Sequence, residues 1–133
     1  MDPRFVTKNT HAFLDYPVAL VLMAAPFVLG LGESHPAALW LGVGTGVAAL
    51  ILTILTNHRL GLLRVLPYSV HLTVDALVGV TFLAAPFALG FSGLDAWFYW
   101  ANGGAVVLVV SLHKPAARSS ASKPAADAKP ALT

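Results

Sequence analysis

His11 to Gly30 reads HAFLDYPVALVLMAAPFVLG, and sixty positions later His71 to Gly90 reads HLTVDALVGVTFLAAPFALG. Nine of the twenty aligned positions are identical: His11/His71, Asp15/Asp75, Val18/Val78, Ala24/Ala84, Ala25/Ala85, Pro26/Pro86, Phe27/Phe87, Leu29/Leu89 and Gly30/Gly90. The register runs on to Trp40/Trp100 and Gly44/Gly104. The repeating unit is therefore a pair of apolar segments, and the chain reads as two such units in tandem.

Working outward, four apolar runs appear, at 12–31, 36–56, 69–91 and 96–112. Each approaches the ~20 residues a helix needs to cross ~30 Å of hydrocarbon. The composition agrees: 57% of the 133 residues are hydrophobic and 11% charged, against about 25% charged in a soluble domain. The expected fold is all-α, a polytopic membrane protein with four transmembrane helices forming two tandem two-helix hairpins. The segments are an N-terminus (1–10), repeat 1 (11–56), a connection (57–68), repeat 2 (69–112) and a disordered tail (113–133) rich in Lys-Pro-Ala. Because the second copy is internal, the first is read as a retained span and not a cleaved leader.

The chain has no cysteine, which excludes disulfides and thiol redox chemistry. Every Lys and Arg falls in the N-terminus (Arg4, Lys8), the connection (Arg59, Arg64) or the tail, and the hairpin turns hold only Glu33 and Asp95. The positive-inside rule then places both termini and the connection in the cytoplasm. The dispersed basic residues give no nucleic-acid patch. The connection, with Arg59 and Arg64 among leucines, is expected as a short amphipathic segment on the membrane surface.

Helix 1 should start near His11, capped by Asn9 or Thr10. Pro17 removes a hydrogen bond to the Phe13 carbonyl. Pro26 and Pro86, with Gly30 and Gly90 after them, read as a bend and packing motif. Gly42 and Gly46 give a Gly-x-x-x-Gly spacing for close helix approach. Trp40, Trp97, Tyr99 and Trp100 read as interface aromatics.

The residues that could carry chemistry are His11 and Asp15, four apart on one helix face, and their copies His71 and Asp75. A carboxylate inside a span must face the bundle and be paired. One reading is a structural His-Asp pair near each helix N-terminus. The others are a proton relay, a metal held by two imidazoles and two carboxylates, and a haem between His11 and His71. His35, His58 and His113 fall outside the spans and read as solvated. No phosphate loop or nucleophile elbow is present, so no catalytic residue is assigned.

The ends Ala25-Pro26-Phe27-Val28-Leu29-Gly30-Leu31 and Ala85-Pro86-Phe87-Ala88-Leu89-Gly90-Phe91, each followed by a turn and a span with Trp40 or Trp100, resemble the SPW-repeat family of prokaryotic membrane proteins. Ala-Pro-Phe stands where that family's naming signature has Ser-Pro-Trp. The resemblance implies a small integral membrane protein with no established catalytic activity, and it brings no catalytic residues to carry over. The expected role is a non-enzymatic structural or accessory component that packs in the bilayer with itself or with a larger complex, with no cofactor. The alternative is a metal-, haem- or proton-handling protein using the two His-Asp pairs.

Overall fold

The computed structural model describes residues 4–113, and the tail expected to be disordered lies outside them. Four helices follow one another: α1 (Lys8–Val28), α2 (Ala37–Leu55), α3 (Tyr68–Leu89) and α4 (Gly93–Ser111). The first three are long and apolar enough to cross a membrane. At 1.5 Å per residue, α4's 19 residues reach as far as those of α2. Its first half holds Asp95, Tyr99, Asn102 and paired glycines, and these lower its apolar content.

α1 begins earlier than the sequence suggests. Thr7 is its cap, with its hydroxyl accepting the Thr10 N–H at 3.2 Å. His11 and Asp15 therefore sit a turn deeper in the helix than a start at His11 would give. α1 continues through both Pro17 and Pro26. It stops at Gly30, whose φ of +64° takes the left-handed conformation that costs glycine least. Gly30 N–H then reaches the Phe27 carbonyl and Leu31 N–H reaches the Pro26 carbonyl, the Schellman pattern that satisfies a helix's last acceptors. Gly90 closes α3 in the same conformation.

α1 packs along α2, and α3 along α4, whereas the hairpins touch each other much less. Small residues allow the close approach within each hairpin. A Cβ on Gly46 would lie 2.7 Å from Met23 Cγ and 2.9 Å from the Ala19 carbonyl oxygen. In the other hairpin, a Cβ on Gly103 would lie 2.9 Å from the Gly79 carbonyl oxygen. Gly103 holds the second hairpin together, and the sequence reading did not single it out.

The outside is apolar. Phe27, Trp40, Leu77, Phe87 (78%) and Trp97 are exposed, as side chains that face lipid would be. Tyr99 differs from Trp97: it is fully buried, packs edge-on against Phe82 and donates its hydroxyl to the Ala38 carbonyl at 2.7 Å. A buried phenol needs such an acceptor, and this one belongs to the other hairpin.

The connection between α2 and α3 forms turns and folds back on α2. Leu62 and Leu63 N–H both reach the Ile54 carbonyl, and Leu66 N–H reaches that of Leu55. Thus α2's terminal carbonyls are satisfied by main chain, and the loop presents Leu62 and Leu63 outward.

A candidate cation site where the hairpins meet

The starts of α1 and α3 bring His11, Asp15, His71 and Asp75 into one cluster. His11 Nε2 lies 2.8 Å from Asp75 Oδ2 and 3.3 Å from Asp15 Oδ1. His71 Nε2 lies 3.3 Å from Asp15 Oδ2 and 3.1 Å from Asp75 Oδ2. Each imidazole thus faces both carboxylates, and the shortest contact joins the two hairpins. The rings are 5.7 Å apart and nearly perpendicular. Both histidines are buried, at 3% and 1% exposure.

The local sequence explains this convergence. A four-residue spacing stacks His and Asp on one helix face, and the two helices present that face to each other at the same end of the molecule. The surroundings then fix His71. Thr56, the residue that ends α2, donates its hydroxyl to the Leu52 carbonyl at 2.6 Å. That uses its one hydrogen, so its 2.8 Å contact with His71 Nδ1 has the imidazole N–H as donor. His71 is protonated on Nδ1, and Nε2 is the nitrogen turned to the carboxylates.

Three further side chains enclose the cluster. The Tyr68 ring stacks on His71 and meets His11 edge-on, and the His113 ring lies 5.2 Å from Tyr68. His58, 6.1 Å from His71, is buried, which corrects its reading as solvated. Its Nδ1 accepts the Leu60 N–H at 3.2 Å, and its Nε2 is buried without a hydrogen-bond partner. Burial holds the His58 imidazole below its ordinary pKa, with Asp15 pulling the other way. Burial, with His11 adding to it, lowers that of His113. His35 is exposed and takes no part. Thr56, Tyr68, His58 and His113 lie at helix ends or in the connection, where apolar periodicity gives no signal for them.

The chain ends close over this region. Val6 N–H donates to the Leu112 carbonyl at 3.1 Å, and Val6 is buried. The opposite end of the molecule is latched as well. Asp95, 2% exposed, accepts the N–H groups of Gly32 and Ser34 at 2.8 and 2.9 Å. Between the two ends lies a cavity of about 650 Å³, walled by residues such as Thr45, Ala48, Leu52, Asn102, Val106 and Val109 and reaching all four cluster residues.

A bis-histidine haem needs the plane between its axial nitrogens to be open. Here carboxylate oxygens stand within 3.3 Å of both Nε2 atoms, so a porphyrin does not fit. A single cation does fit, since four donor atoms, one from each residue, lie within 4.8 Å of one another.

No curated protein and no solved structure matches the chain. The SPW repeat domain matches residues 9–114, a span that runs from the first turn of α1 to just beyond the end of α4 and so contains the whole cluster. By that match over most of its length, and by its apolar spans, the chain is a membrane protein of the SPW repeat family.

Proposed function

We propose that this protein is a non-enzymatic component of a prokaryotic inner membrane, with four spans in two tandem hairpins clasped to each other through polar contacts at both ends. Both termini and the central connection face the cytoplasm. The two repeats, each with an even number of spans, enter the membrane in one direction and relate by a pseudo-twofold axis along its normal. The cluster then belongs to the cytoplasmic end.

The carrying observation is the inversion of polarity. Large apolar side chains cover the outside, while the bonds between hairpins are polar: His11 to Asp75, Asp95 to Gly32 and Ser34, and Tyr99 to Ala38. In lipid, apolar contact between helices brings no hydrophobic gain, and hydrogen bonds and close packing hold helices together. A clasp of this kind sets two short hairpins in a fixed relation and leaves an apolar exterior for a second copy or a larger complex.

Two measurements test the reading. Reporter fusions at Gly32 and Ser92 should read periplasmic, and fusions at Gly61 and Thr133 cytoplasmic; a cytoplasmic signal at either turn refutes four spans. Breaking the clasp by His71→Ala should cost about 3 to 5 kcal/mol if the stranded carboxylate is fully shielded, whereas His71→Leu with Asp75→Leu should cost much less. Equal losses in both would refute a structural clasp.

A further inference from the structure

The imidazole nitrogens of the cluster stand as far from the carboxylate oxygens as neighbouring ligands on one metal ion do. For metal–ligand bonds of about 2.0 to 2.1 Å, ligands in a tetrahedron stand about 3.3 Å apart and neighbouring ligands in an octahedron about 2.9 Å. The observed imidazole–carboxylate separations are 2.8, 3.1, 3.3 and 3.3 Å. They lie in or near that range: Asp75 Oδ2 meets both imidazoles, whereas Asp15 meets His11 through Oδ1 and His71 through Oδ2.

A cluster held only by direct hydrogen bonds should use each polar atom. Here Asp15 Oδ2 is buried without a hydrogen-bond partner, although His71 Nε2 is 3.3 Å away. The Thr56 hydroxyl supplies an independent sign. By taking the Nδ1 proton of His71 it leaves Nε2 as the lone-pair nitrogen of the neutral ring. Facing two carboxylates, that nitrogen is satisfied in one of two ways: by a second proton shared with them or by a cation that takes its lone pair. Metal-binding histidines are commonly oriented in this way, with the far N–H given to a hydroxyl, carbonyl or carboxylate.

We propose that His11 Nε2, His71 Nε2, Asp15 and Asp75 bind one divalent first-row transition ion of the zinc class, and that Thr56 positions His71 for it. Two imidazoles select such ions over magnesium and calcium, which prefer oxygen throughout. The two carboxylates cancel the charge of a divalent ion, which matters where the dielectric is low. The cavity between the hairpins reaches the four side chains. The proposal deepens the clasp reading, since the ion would tie α1 to α3.

The test uses the full chain in mild detergent, stripped with a chelator and titrated with Co²⁺, then Zn²⁺ in competition. Expected are one Co²⁺ per chain, ligand-field absorption of a site with nitrogen and oxygen donors, displacement by Zn²⁺ and none by excess Mg²⁺. Asp15→Asn and His71→Gln should abolish the spectrum. Thr56→Val removes no ligand, only the hydrogen bond that orients His71, and should weaken Zn²⁺ binding by roughly 10- to 100-fold, with helicity and elution volume unchanged. The proposal is overturned if folded wild-type protein takes up no stoichiometric Co²⁺, or if binding persists at full strength in the folded Thr56→Val or Asp15→Asn proteins. Failure here leaves the clasp intact if the stripped protein keeps its stability and its response to His71→Ala; loss of that response too would remove both.

Discussion

Asp95 and Ser34 join the two hairpins at the end opposite the His-Asp cluster: Asp95 Oδ2 accepts both the backbone N–H and the hydroxyl of Ser34. Ser34 Oγ in turn accepts the Ser92 N–H at 3.1 Å. With Gly32 N–H on its other oxygen, one buried carboxylate orders an entire turn of the neighbouring hairpin. Hydrogen bonds to a charged group contribute about 1.5 to 3 kcal/mol, and donors stranded by its loss add a penalty. Asp95→Ala should therefore lower stability by about 2 to 4 kcal/mol and Asp95→Asn by less. Denaturant unfolding followed by helicity in detergent will measure both, and a loss below about 0.5 kcal/mol in Asp95→Ala would show the turn to be held by other contacts.

Gly44 and Gly46 are two residues apart on α2 yet differ completely in surroundings. A Cβ at Gly46 would meet Met23 and the Ala19 backbone, whereas one at Gly44 would meet nothing within 4 Å. Gly46→Ala should cost about 1 to 3 kcal/mol through forced separation of α1 and α2. Gly44→Ala should be neutral or slightly stabilising. Thermal melts of the two variants side by side decide the point, and equal melting temperatures would contradict the helix spacing.

His58 makes stability depend on pH. Unfolded, it titrates near the ordinary 6.5; folded, burial depresses it. Between those two values the unfolded chain binds more protons, so stability falls as pH drops below about 6.5 toward the folded value. Above 6.5 the contribution of the neutral ring is fully present. His58→Asn keeps an acceptor for the Leu60 N–H and removes the titration. Its stability profile from pH 7.5 to 5 should be flatter than that of wild type, and superimposable slopes would show that His58 ionises freely in the fold.

The cavity predicts a fourth outcome. Ala48 and Val106 line it from opposite hairpins, and the chain is naturally free of cysteine. Ala48→Cys and Val106→Cys, made singly, should react with a small lipid-soluble maleimide, while Cys in place of the buried Ala38 should not. Protection at both cavity positions would mean that the hairpins close against each other there.

Much of this architecture was legible in residues 11–30 and 71–90. The spacing of apolar runs marks the first three helices, and the recurrence of His and Asp four apart points to the residues that meet. That the closest contact would join His11 to Asp75 across the hairpins was not legible, since sequence spacing reports neighbours on one helix only. The start of α1 was missed by one turn because Thr7, Asn9 and Thr10 are all good caps and only the backbone path chooses among them. Thr56 and His58 were missed because the connection has no periodicity to reveal its path. Asp95 was visible but misplaced as a simple turn residue. It stands where the first copy has His35, so comparison of the copies gave no hint of its grip on the other hairpin.

The bond from Val6 N–H to the Leu112 carbonyl brings together a residue just before the first helix and one just after the last. The chain from 6 to 112 is thereby a nearly closed ring, with the hairpin turns and the connection as its other corners. In such a ring the order of the two halves along the gene matters little: a short linker from 113 to 6, with a new start cut into the exposed 62–65 stretch, would present the second hairpin first and retain each contact described between them.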